Sequence, residues 1–78
     1  MTLEDIKQGL DKLGISYTEV PFDSTITDLK LDKVFTVRFY HNDGKARMIA
    51  KEMGTERAST SMKNLDDVIG LASYVILK

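Results

Sequence analysis

Arg38, Tyr40, Arg47 and Lys51 are the residues whose types and spacing come nearest to a recognisable chemistry in this chain. Three cations and a phenol ring flank the turn signal Asn42-Asp43-Gly44-Lys45 at steps of two and four. A small sheet uses such a set to hold phosphates on its cations while an unpaired base stacks on the ring. The same residues also suit an ordinary solvated strand face, with Tyr40 lying over Arg47 as a cross-strand pair. One ring is fewer than the two or three stacking aromatics of an RNA-recognition sheet.

The other chemically active side chains read more simply. His41 is the one histidine, beside Asn42 and Asp43 in a turn, which falls short of the three or four ligands that zinc takes. Asp43-Gly44 lacks the alternating acids and the bidentate Glu of a calcium loop. Asp66 and Asp67 are neighbours that a helix points about 100° apart, and in a first turn they answer the helix dipole. Ser59-Thr60-Ser61, two residues after Arg57, is a hydroxyl cluster suited to modification or to capping the helix that follows. There is no glycine-rich phosphate loop, no GxSxG or HExxH pattern and no cysteine. The expectation is therefore a chain that is not an enzyme and takes no cofactor and no metal.

The turn signal must position the first group. Asp43-Gly44 read as a two-residue type I′ loop opposes 42 with 45, 40 with 47, 38 with 49 and 36 with 51. One face then carries Phe35, Val37, Phe39, Met48 and Ala50, and the other Thr36, Arg38, Tyr40, Arg47, Ile49 and Lys51. The first is a core face and the second a basic outer face, on strands running from about 33 to 41 and 45 to 53. Replacing Arg38 and Arg47 by Glu is expected to leave stability largely intact.

Around the hairpin the spacing Leu3, Ile6, Leu10, Leu13 predicts a first helix, with Thr2 and Asp5 as a capping box and Gly14 in the left-handed position that ends it. Gly9 inside it reads as tolerated rather than as a close-packing site. Residues 15 to 22 suit an edge strand, because Pro21 lacks a backbone donor. Residues 23 to 32 read as a polar connection or as a backward extension of the next strand, and 56 to 60 as a short strand at most. Asn64 caps a second helix whose core stripe is Leu65, Val68, Ile69, Ala72 and Ile76. Leu71, Tyr74 and Leu77 fall on its opposite side as a candidate partner or dimer stripe. An alternative ends the helix near Ala72 and makes the tail from Tyr74 to Leu77 a final strand. The fold class expected is α+β: a single domain over residues 1 to 78, in two layers, with a three- to four-stranded antiparallel sheet, the hairpin at its centre and both helices on one face.

Composition narrows the function classes. A chain of 78 residues exposes on the order of 4,800 Å² when folded, so a partner footprint of about 800 Å² covers about a sixth of it. Without cysteine, stability rests on packing or on self-association. The net charge of −1 conceals seven acids and three lysines in residues 1 to 32, seven bases and three acids in 33 to 63, and two acids and one lysine thereafter. A uniformly basic nucleic-acid binder is excluded and a local basic face is not. No apolar run reaches a membrane span, and the first residues are acidic and amphipathic, so no membrane association and a cytoplasmic location are expected. The function expected is a small non-catalytic protein-binding module, a regulator, inhibitor or assembly factor of the kind frequent among phage and mobile-element accessory proteins. It would act through a protein partner or self-association. The alternative is a nucleic-acid-binding domain using the basic outer face.

Overall fold

The computed structural model describes residues 1–78 as an α+β fold. Its elements are α1 (Leu3–Lys12), β1 (Thr18–Asp23), β2 (Ile26–Lys30), β3 (Phe35–Tyr40), β4 (Lys45–Glu52), β5 (Thr55–Met62) and α2 (Leu65–Leu77). The five strands pair antiparallel in chain order β1-β2-β3-β4-β5. The sheet thus has five strands rather than three or four.

α1 begins as its sequence demands. The Thr2 side chain accepts the Asp5 amide at 3.1 Å, and the Asp5 carboxylate accepts the Thr2 amide at 3.1 Å. It ends in a Schellman motif: Gly14, at φ 71°, donates to the Asp11 carbonyl, and Ile15 donates to that of Leu10. Ile15 and Leu10 are both buried, the apolar contact that accompanies this motif. Gly9 is not a tolerated weakness but a contact point. A Cβ there would lie 2.5 Å from Ile69 Cδ1, so its absence lets α2 approach α1.

α2 is helical through Leu77, which settles the tail from Tyr74 to Leu77 as helix. Asn64 caps it by accepting the Asp67 amide at 2.9 Å. Both helices cover one sheet face. The core joins Ile6, Leu10 and Ile15 to Val68 and Ala72 and to Leu29, Val37, Phe39, Ala46, Met48 and Met62 from the strands. The opposite face carries no helix.

Two strands depart from the expected reading. The polar stretch after Asp23 holds β2, which pairs with both β1 and β3. The Asp23 carboxylate turns the chain into it by accepting the Thr25 amide at 2.7 Å and hydroxyl at 2.8 Å, and these bonds hold its pKa below the usual value of 3.8. β5 runs from Thr55 to Met62, longer than the short strand expected.

The type I′ turn expected at Asp43-Gly44 does not form there. Residues 41 to 44 form a four-residue loop closed by Tyr40 opposite Lys45. Asp43 keeps negative φ and only Gly44, at 63°, is left-handed, so the type I′ geometry is not formed. It forms instead at Met53-Gly54, where φ is 53° and 81°. Met53 is 98% exposed there. The β3–β4 register consequently differs by two residues from that expected. With a side-chain period of two, the core and outer faces keep their membership.

Candidate interaction surfaces

The uncovered sheet face is ordered in rows across the strands. One row runs Val20, Asp28, Arg38, Arg47, Ser61, each directly opposite the next. The next runs Thr18, Lys30, Thr36, Ile49, Ser59, and a third places Ile26, Tyr40 and Lys45 in line. Thr36 and Ile49 are buried although no helix covers them. Long side chains on this face therefore lie across it rather than stand off it.

Arg38 and Arg47 oppose one another on β3 and β4, a placement of like charges that disfavours the pairing. The two are treated differently by their surroundings. Arg38 makes a fork-to-fork pair with Asp28, Nε to Oδ1 at 2.8 Å and Nη2 to Oδ2 at 3.0 Å, and its guanidinium lies 4.8 Å from the Phe22 ring centroid. Phe22 reaches it from a bulge between Pro21 and Asp23 in β1. The Asp28 side chain is 6% exposed, so this pair is structural and its charge is neutralised. Arg47 has only neutral partners: Nη1 donates to Ser61 Oγ and Nη2 to Ser59 Oγ, both at 2.7 Å. Hydroxyls aim the guanidinium without cancelling its charge.

The four basic-face residues thus divide. Tyr40 and Arg47 meet at a pocket of about 330 Å³ that is also lined by Lys45, Ser61, Lys63 and Asp43. Lys51 is opposite Glu56, about 13 Å along β4 from Arg47, and Arg38 is held by Asp28. Lys63 was not singled out by sequence, Lys45 was read only as part of the turn signal, and Ser61 only as part of a hydroxyl cluster suited to modification or to capping. The two-residue register difference is what puts Lys45, instead of Arg47, opposite Tyr40, and Ser61 belongs to a strand read as ending at Thr60. His41 is exposed in the loop, with its Nε2 2.7 Å from the Thr27 hydroxyl and its ring edge-on to Phe39. No group of three or more His, Cys, Asp or Glu side chains converges on a metal-sized site.

A second surface lies on the helix side, at the β5 edge. An apolar notch of about 200 Å³ is walled by Phe35, Met48, Ala50 and Ala58 from the sheet and by Leu71 and Val75 from α2. Leu71, expected on an outer stripe, is half-buried against the core, whereas Tyr74 and Leu77 are 63% and 54% exposed. The stripe is therefore split between notch wall and open surface. Six of the eight β5 residues are exposed, and the span from Ala58 to Met62 has neither charge nor proline. The opposite edge, β1, is guarded by Pro21, by its bulge and by the Lys7–Glu19 ion pair. No helix is long and apolar enough to cross a membrane. Comparison with protein-family models, with curated proteins and with solved structures finds no match to this chain.

Proposed function

We propose that this chain is a small, non-catalytic protein-binding module that takes an extended segment of its partner along β5. The observation that carries the reading is the pairing of an edge segment free of charge and proline, Ala58 to Met62 beyond the β5 irregularity at Arg57, with an apolar notch directly beneath it. In strand addition the main-chain groups of an open edge supply affinity, and pockets beside it select alternate side chains of the incoming strand. The notch is sized for one or two apolar side chains, and Tyr74, one turn on from the notch residue Leu71, adds exposed apolar area on α2. The basic-face reading is the weaker one, because Arg38 is committed to Asp28 and Lys51 stands opposite Glu56.

Site-specific photo-crosslinking in the source cells tests this. A crosslinker at Ala58 or Tyr74 is expected to give a discrete adduct, and one at Lys12 on the far helix is not. Ala58→Lys, which puts a charge at the mouth of the notch while leaving the core intact, is expected to abolish the Tyr74 adduct. An adduct at twice the chain mass identifies the partner as a second copy. Equal adducts from all three positions, or none from any, would overturn the proposal.

A further inference from the structure

We propose that the pocket at the Tyr40–Lys45 end of the open face binds one nucleoside phosphate, its phosphate on Arg47, Lys45 and Lys63 and its base against the Tyr40 ring. The pocket shares no lining residue with the β5–α2 notch. Its failure therefore leaves the protein-binding reading standing.

The argument starts from charge. The lining holds three cations and one acid, Asp43, a formal balance of +2. The ion pairs of the molecule are Lys7–Glu19, Arg38–Asp28 and Arg57–Glu52, so none of the three pocket cations has a carboxylate partner. Arg47 adds a structural cost, being directly opposite Arg38. Asp28 relieves that cost on the Arg38 side only. An arginine facing another arginine, and fixed at both terminal nitrogens by serine hydroxyls, is preorganised for an anion that arrives from outside. Each hydroxyl restrains rotation of the side chain, so little freedom remains to be lost when the anion binds.

Shape and the ring narrow the anion. About 330 Å³ is at the small end of ligand sites, enough for one nucleotide unit and not for a folded nucleic acid. Tyr40 is half-buried in the wall, a rigid π surface next to the cations, which is the combination that reads a base attached to a phosphate. A free mononucleotide and one residue of an unpaired strand present the same chemistry.

The test is an amide NMR titration of the labelled full chain with thymidine 5′-monophosphate, with a single-stranded oligothymidylate of about ten nucleotides, and with thymidine, at about 20 and about 200 mM salt. The expected result is a salt-sensitive set of shifts at Lys45, Arg47, Ser61 and Lys63, with upfield movement of the Tyr40 ring protons, for a phosphate-bearing probe and not for thymidine. Saturation by the monophosphate identifies a nucleotide site; response to the oligomer alone identifies an unpaired strand. Arg47→Gln and Lys63→Gln should each weaken binding about tenfold, and Lys51→Gln should not. Lys63 is exposed, so its variant decides the matter should Arg47→Gln fold poorly. Absence of shifts with both phosphate probes, equal shifts at Lys7, Lys12 and Lys33, the same response to thymidine, or an unaltered Lys63→Gln titration would overturn the proposal.

Discussion

Asp28 decides what Arg38 can do. With 6% of its side chain exposed, the carboxylate is viable because a guanidinium meets both of its oxygens. Removing one partner of such a pair strands a charge away from water, whereas removing both leaves nothing unpaired. Arg38→Ala is therefore expected to cost about 2–3 kcal/mol, at or below the low end for fully buried pairs. Asp28→Ala with Arg38→Ala should recover a large part of that loss, as read from urea midpoints in a double-mutant cycle. Equal losses in the single and double variants would mean that packing on Phe22, not charge, fixes Arg38. The expectation that Arg38→Glu leaves stability intact fails for the same reason, since it would set two carboxylates against each other. That error was not recoverable from the hairpin alone. Asp28 comes from a strand whose sequence, Ile26-Thr27-Asp28-Leu29-Lys30, puts a buried threonine on the core face and a buried carboxylate on the open one, so neither face shows apolar alternation. Tyr40 and Arg47, by contrast, were legible because their parity survives a register difference of two.

At the scale of elements, the ends of the helices were legible and their mutual packing was not. Thr2, Asp5, Gly14 and Asn64 act locally, within one turn of their own chain. Gly9 acts on a residue sixty positions away, Ile69, which no local pattern reveals. The two effects oppose each other in a Gly9→Ala variant. Helix propensity favours alanine by about 1 kcal/mol, whereas a Cβ 2.5 Å from Ile69 Cδ1 and 2.8 Å from its Cγ1 cannot be cleared by the terminal methyl alone and forces a displacement that costs about 1–3 kcal/mol. The expected outcome is net destabilisation in the native sequence and a change of sign, to stabilisation of about 1 kcal/mol, in an Ile69→Ala background. Thermal or urea unfolding of the four proteins checks it, and a stabilising Gly9→Ala in the native background would show that Ile69 yields without cost. β5 was under-read for a different reason. An edge strand with little to bury has no need of apolar alternation, and its length is set by pairing to β4 instead.

For the whole molecule, the distribution of burial bears directly on binding. The chain exposes 4,923 Å² within extents of 28 × 27 × 20 Å, so any protein partner occupies a large share of it. Twelve of the fifteen buried residues are apolar, and β5 contributes only Met62. The central strands are held by neighbours on both sides and by side chains on the core face; β5 is held by β4 and by one end of its own length. Local opening free energy follows such differences, and surfaces that receive partners come from the less stable end. Hydrogen exchange should therefore be slowest in β3 and β4 and faster in the two edge strands, β1 and β5, and in β5 the amides directed away from β4 exchange at near-unprotected rates. A partner strand laid along Ala58 to Met62 supplies acceptors to those amides and should slow them selectively, with little change in β1. Protection in free β5 equal to that in β3 would mean that the edge is already satisfied, and strand addition would lose its physical basis.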